Sequence, residues 1–167
     1  MKSCERYNIA NNEWTDLPNL SSSRERACCC VYNETFLYVF FGFDRSKSQY
    51  ATTIEKLNLQ EPELWEPINV PGNQGILKKQ SFSLMFKNET TILIVGGLNA
   101  SRKICREVVE YDFEQNEATA WDSYLPLYAS FNDPVFTKSF NGAYYTYTEN
   151  FTILKYLPES NEFIPVE

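Results

Sequence analysis

An all-β fold is what this 167-residue sequence predicts, and three observations carry the prediction. Aromatic side chains make up 16% of the chain, with 12 Phe, 11 Tyr and 3 Trp, a bias towards residues that suit a pleated, half-buried surface. Short apolar runs bounded by Asn, Gly and Glu turns follow one another with no stretch at helical period. One pattern also returns along the whole chain: its anchors Tyr7, Leu57, Tyr111 and Tyr156 are separated by steps of 50, 54 and 45 residues. Hydrophobic residues at 43% and charged residues at 22% are ordinary globular composition, and the length allows a sizeable core without disulfides.

Each repeat reads as four strands, A to D. The first copy holds only the last two, Glu5-Arg6-Tyr7-Asn8 and the strand with Trp14. The second has Arg26 to Tyr32, a turn at Asn33-Glu34, and Phe36 to Phe41 ending at Gly42; Glu55-Lys56-Leu57-Asn58 and Trp65 complete it. In the third, Gln80 to Phe86, the turn Lys87-Asn88-Glu89 and Thr91 to Val95 end at Gly96-Gly97, before Val109-Glu110-Tyr111-Asp112 and Trp121. The fourth runs from Val135 to Phe140, turns at Asn141-Gly142, continues from Ala143 to Thr148, then Leu154-Lys155-Tyr156-Leu157 and Phe163. Asn-Gly between apolar runs is the strongest short-range hairpin signal. Pro18, Pro71 and Pro126 punctuate the connections between repeats.

A hairpin ending in two glycines, a variable loop, Glu-x-Tyr-Asn/Asp and a later Trp resembles the kelch repeat, whose units are the four-stranded blades of a β-propeller. The resemblance covers the entire chain. Its best copy carries Gly96-Gly97, Tyr111-Asp112 and Trp121; another has Phe41 and Leu57 in place of a glycine and the tyrosine, and the last lacks both glycines and has Phe163 for Trp. It implies a kelch-type propeller segment of about three and a half antiparallel blades. These are a half blade over 1–19, blades over 20–70 and 71–126, and a degenerate blade over 127–167. Trp14, Trp65, Trp121 and Phe163 are then expected in equivalent places, filling the space between neighbouring blades. Propellers close with four to eight blades, so the remaining blades are expected from the same longer polypeptide, the favoured reading, or from another chain.

Antiparallel order puts the A–B and C–D loops at one end of such a scaffold and the B–C and D–A loops at the other. The first end carries Glu13, Glu34, Glu61, Glu63, Glu89, Glu114, Glu117, Glu159 and Glu162 against Lys87. The second carries Arg24, Arg26, Arg45, Lys47, Lys78, Lys79, Arg102, Lys103 and Arg106 against Glu25, Asp44, Asp133 and Glu149. One end is acidic and the other basic. Arg24, Arg26, Arg45, Lys47, Lys78, Lys79, Arg102 and Lys103 are therefore the candidate partner-binding residues, expected to receive an acidic protein segment.

Composition excludes several chemistries. The chain has no histidine, which closes Ser-His-Asp and Cys-His nucleophiles, His-ligated metals and imidazole acid–base catalysis. Cys28, Cys29 and Cys30 are adjacent, so on a strand their thiols point to alternate faces and do not converge on one ion; neither metal nor cofactor is expected. With Cys4 and Cys105 they make an odd number without a disulfide framework, as for reduced thiols in the cytoplasm. A net charge of −7 argues against nucleic acid as partner, and neither a leader at Met1 to Arg6 nor a membrane-spanning run is legible. Asn-x-Ser/Thr triplets at Asn19, Asn33, Asn88, Asn99 and Asn150 then read as products of Asn-rich loops.

The expected function is a non-catalytic protein–protein interaction module. The kelch resemblance implies a scaffold, a cytoskeleton-associated protein or the substrate receptor of a ubiquitin ligase. The alternative is a propeller enzyme hydrolysing glycosides with carboxylates alone.

Overall fold

The computed structural model of the chain describes residues 2–71, 78–124, 137–138, 143–147 and 152–166, and these form strands, turns and loops with no helix among them. A hairpin of β1 (Cys4–Asn8) and β2 (Glu13–Leu17) comes first. Sheet I follows, built from β3 (Cys28–Tyr32), β4 (Phe36–Phe40), β7 (Ile54–Asn58) and β8 (Glu66–Ile68) in that order, each antiparallel to the next. The short ribbon β5 (Phe43–Asp44) and β6 (Gln49–Tyr50) stands in its β4–β7 connection. Sheet II has β9 (Ser83–Phe86), β10 (Thr91–Val95), β11 (Glu107–Asp112) and β12 (Glu117–Tyr124). Sheet III has β13 (Thr137–Lys138), β14 (Tyr144–Tyr147), β15 (Ile153–Leu157) and β16 (Glu162–Pro165). The three four-stranded sheets fall within the second, third and fourth repeat copies. In the fourth copy, Val135, Phe136, Ser139 and Phe140 of the expected first strand, the turn at Asn141-Gly142, and Thr148 lie outside the described residues.

Two core layers show how the sheets stack. Tyr38, Phe40 and Ile54 of sheet I pack with Ile92, Ile94, Val109 and Tyr111 of sheet II. On the other face of sheet II, Met85, Leu93, Val95 and Val108 pack with Leu154, Tyr156 and Phe163 of sheet III. A smaller layer, Leu57 and Trp65 with Cys4, Leu17 and Leu20, joins sheet I to the hairpin. Sheet II is apolar on both faces because both are covered, and all five residues of β10 are buried. Strands β3 and β9 lie side by side, and the Ser81 amide donates to the Arg26 carbonyl at 3.0 Å between the segments that lead into them.

The glycines after β4 and β10 fix how tightly each sheet turns back. Gly97 has φ +85°, and a Cβ there would stand 2.6 Å from the Gln80 carbonyl oxygen; Gly42, at φ +93°, would meet the Glu25 carbonyl at 2.9 Å. Phe41 replaces the first glycine of the pair and still adopts φ +43°, where Gly96 has +70°. Left-handed backbone costs an L-residue about 1–2 kcal/mol, and full burial of a Phe ring offsets it at about 1.5–3 kcal/mol. The Phe41 ring is fully buried, 5.8 Å from that of Phe82.

The expected equivalence of Trp14, Trp65, Trp121 and Phe163 holds only in part. Tyr7 pairs with Trp14 and Tyr156 with Phe163 in register, but Tyr111 pairs with Ala118. Trp121 lies three residues beyond Ala118, and pleat parity puts it on the opposite face. It stacks there on Tyr156 of sheet III at 6.5 Å, while Ala118 packs towards sheet I. Trp65 faces the hairpin and is 2% exposed, whereas Trp14 is 67% exposed, with no sheet of the described residues packed on it.

Candidate functional site: an arginine-lined pocket between sheets I and II

The loops after β4 and β10 and the segments leading into β3 and β9 enclose a pocket of about 620 Å³. Its walls are Glu25, Arg26, Phe43, Arg45, Ser48, Tyr50, Gln80, Leu98, Ala100 and Arg102. The chain builds it from backbone pairings: Glu25 bridges Phe43, and Gln80 bridges Leu98. The Gly42 amide donates to the Lys79 carbonyl at 3.2 Å, and the Tyr50 hydroxyl donates to the Asn99 carbonyl at 2.9 Å, each tying one repeat's loop to the other's. The Phe43 and Tyr50 rings meet edge to face at 5.2 Å and stiffen the ribbon.

Asp44 shapes the loop that presents Arg45. Its buried carboxylate accepts from the Ser46 hydroxyl at 2.6 Å, the Ser46 amide at 3.0 Å and the Ser23 hydroxyl at 3.1 Å. The Ser46 hydroxyl above all holds this carboxyl below its ordinary range; burial opposes, and Ser23 and the amides of Lys47 and Ser46 add to the effect.

Three arginines and one glutamate belong to this lining. Arg45 is exposed and meets Glu25 at 3.1 Å. Arg26 and Arg102 are exposed too, each on left-handed backbone, at φ 54° and 56°. Arg102 acts electrostatically on the Tyr50 phenol, opposing the rise that burial causes. The arrangement can take an anion by forked N–H donation, the geometry in which guanidinium binds carboxylate or phosphate oxygens.

Of the eight candidate residues, the structure gathers Arg26, Arg45 and Arg102 around this pocket. Lys47, Lys78 and Lys103 are exposed nearby but do not line it. Arg24 and Lys79 are corrected: both are buried, at 6% and 3% exposure, and serve the framework. Arg24 pairs with buried Glu55 at 2.8 Å and donates to the carbonyls of Phe41 at 2.9 Å and Thr53 at 2.7 Å. Burial lowers its pKa, with Glu55 opposing. In the corresponding place of the next repeat, Lys79 donates to the Glu107 carbonyl at 3.0 Å; burial lowers its pKa, with Cys105 and Glu107 opposing. Tyr50, Gln80 and Ser48 were not foreseen, because nothing in loop sequence shows which side chains line a cleft between repeats.

The thiols alternate as expected: Cys28 and Cys30 pack towards sheet II and Cys29 is on the other face. Burial, with Cys29 and Cys28 adding, pushes the Cys30 thiol up to about 12. No family model matches the chain, and no curated protein matches it.

Proposed function

We propose that the chain is a non-catalytic interaction module, a segment of a kelch-type propeller, that receives an acidic segment of a protein partner in the pocket of Arg26, Arg45 and Arg102. The observation that carries the reading is a pocket lining that includes three arginines and, as its one acidic residue, Glu25. Sequential four-stranded antiparallel sheets with apolar layers between them support the propeller reading. The acidic segment displaces Glu25 from Arg45 and takes the fork that Glu25 holds.

Fluorescence anisotropy with a labelled glutamate-rich peptide tests this. Replacing Arg26, Arg45 and Arg102 together by Glu should weaken binding by at least about 100-fold and flatten its salt dependence. Replacing Lys47, Lys78 and Lys103 by Glu should cost less than about tenfold, and Glu61, Glu63, Glu114 and Glu117 changed to Lys should leave affinity nearly intact. Equal losses from the arginine and lysine sets would show binding to diffuse charge and sink the pocket assignment.

A further inference from the structure

The turn that presents Arg45 also holds a serine on the pocket wall, and we propose that Ser48 is a phosphorylation site whose phosphate closes the arginine pocket from within. Closure against an acidic segment rests on the function proposed above, whereas the hold of the arginines on the phosphate does not. Arg45, Ser46, Lys47 and Ser48 form the turn between β5 and β6, and all four are exposed. Of its two serines, Ser48 is the one that lines the pocket with Arg26, Arg45 and Arg102.

Three serines near the pocket differ in what an enzyme would meet. Ser46 donates its hydroxyl to the buried Asp44 carboxylate at 2.6 Å, and a phosphate there would stand against that negative charge. Ser81 follows Lys78 and Lys79 in sequence, but it is buried. Ser48 follows Arg45 by three residues and Lys47 by one, and its hydroxyl has no hydrogen-bond partner among the described residues. Basic side chains on the N-terminal side of an exposed serine complement the acidic substrate groove of a basophilic protein kinase. Such an enzyme transfers the γ-phosphoryl group of ATP: the bond from Ser48 Oγ to phosphorus forms and the bond from phosphorus to the bridging oxygen breaks. ADP leaves, and the hydroxyl proton passes to the general base of the kinase.

The pocket suits the product. Three arginines less the one charge of Glu25 leave the lining at a formal +2, and a phosphoserine brings about −1.5 to −2 at pH 7. The Ser48 amide donates to the Arg45 carbonyl at 3.3 Å, so the phosphate arises on the same turn as the Arg45 fork and competes with Glu25 for it. Arg26 and Arg102 have no ion-pair partner among the described residues. Two nearby acids oppose: Glu25 on the lining, and Asp44, whose carboxylate is taken up by Ser46 and Ser23. Lys47, next to Ser48 in the turn, adds a further positive charge. Guanidinium forks given to this phosphate are lost to a carboxylate from outside.

Incubation with ATP, magnesium and the catalytic subunit of cyclic-AMP-dependent protein kinase, a basophilic enzyme, followed by peptide mass mapping, tests the site. Phosphate should appear on Ser48 and be lost from that position in Ser48→Ala; a chain left unmodified, or modified only elsewhere, would overturn the proposal. Phosphorus NMR of the modified chain then tests the contact without any peptide. Arginines held against the phosphate favour its dianion, so it should titrate at least about 0.5 pH lower than in a chain carrying Arg26→Gln and Arg102→Gln, which keeps Arg45 for the kinase. Equal titration would overturn the closure. In fluorescence anisotropy, the phosphorylated chain should bind a labelled glutamate-rich peptide at least about tenfold more weakly than the unmodified chain. Unchanged affinity would likewise overturn the closure. If the unmodified chain does not bind the peptide while the phosphate still titrates low, the function proposed for the pocket falls, and the phosphorylation site with its arginine contact stands.

Discussion

Sheet II and the β1–β2 hairpin carry the same Tyr–Asn device, yet Tyr111 is wholly buried and Tyr7 is not. The difference lies outside both elements. Phe40 of sheet I meets Tyr111 edge to face at 5.4 Å, and no corresponding ring of the described residues meets Tyr7. In a stacked array the anchor of one repeat is buried by its neighbour, not by its own sheet, so stability resides in the interfaces between sheets.

The sharpest break in the comparison comes from the two tryptophans. Trp65 fills the layer between sheet I and the hairpin, and its indole N–H donates to the Pro18 carbonyl at 2.8 Å. Trp65→Ala removes that volume and leaves the carbonyl unpaired, and should cost about 4 kcal/mol in denaturant unfolding. Trp14→Ala should cost less than about 1 kcal/mol, because that ring is mostly exposed. Equal costs would mean that the hairpin ring is already covered in one chain.

The next largest effect separates two ion pairs. Glu55→Gln leaves Arg24 buried without its counter-charge and should cost about 3 kcal/mol, at the low end for a broken buried pair because Arg24 keeps its bonds to Phe41 and Thr53. Glu25→Gln breaks the exposed pair with Arg45 and should change stability by less than about 1 kcal/mol. The same substitution should tighten binding of a glutamate-rich peptide, because it frees the Arg45 fork. Chemical denaturation and peptide anisotropy on the two variants read both effects.

The repeat made the sheets legible. Among the described residues its period located the hairpin and the four-stranded sheets, because strand alternation and turn residues are local properties, but not the β5–β6 ribbon, which lies in a loop of variable sequence. Parity across a hairpin was harder to see. Ten residues separate Tyr111 from Trp121, against seven from Tyr7 to Trp14 and from Tyr156 to Phe163. Three residues past Ala118, which pairs with Tyr111, Trp121 turns to the other face. Loop charge was legible as a sum and not by residue: Arg24 and Arg26 differ by two positions, and only the partner Glu55, 31 residues away, decides that the first is structural. The pocket joins loops of two repeats, so its lining depends on how the sheets stack.

The smallest effect isolates the hydroxyl of the repeated device. Tyr111 donates to the Asn116 side-chain oxygen at 2.9 Å from a ring that has lost its water. Removing the oxygen atom in Tyr111→Phe leaves the ring packing in place and takes away one partly buried hydrogen bond, for about 1 kcal/mol. Tyr156→Phe, with the same bond to Asn161 at 3.0 Å, should match it. For Tyr7→Phe the change should stay within about 0.5 kcal/mol, because water replaces the lost bond to Asn12. Urea midpoints of the three variants at equal m-values measure this. A cost for Tyr7→Phe equal to the other two would mean that the Tyr7 hydroxyl is shielded from water as those of Tyr111 and Tyr156 are.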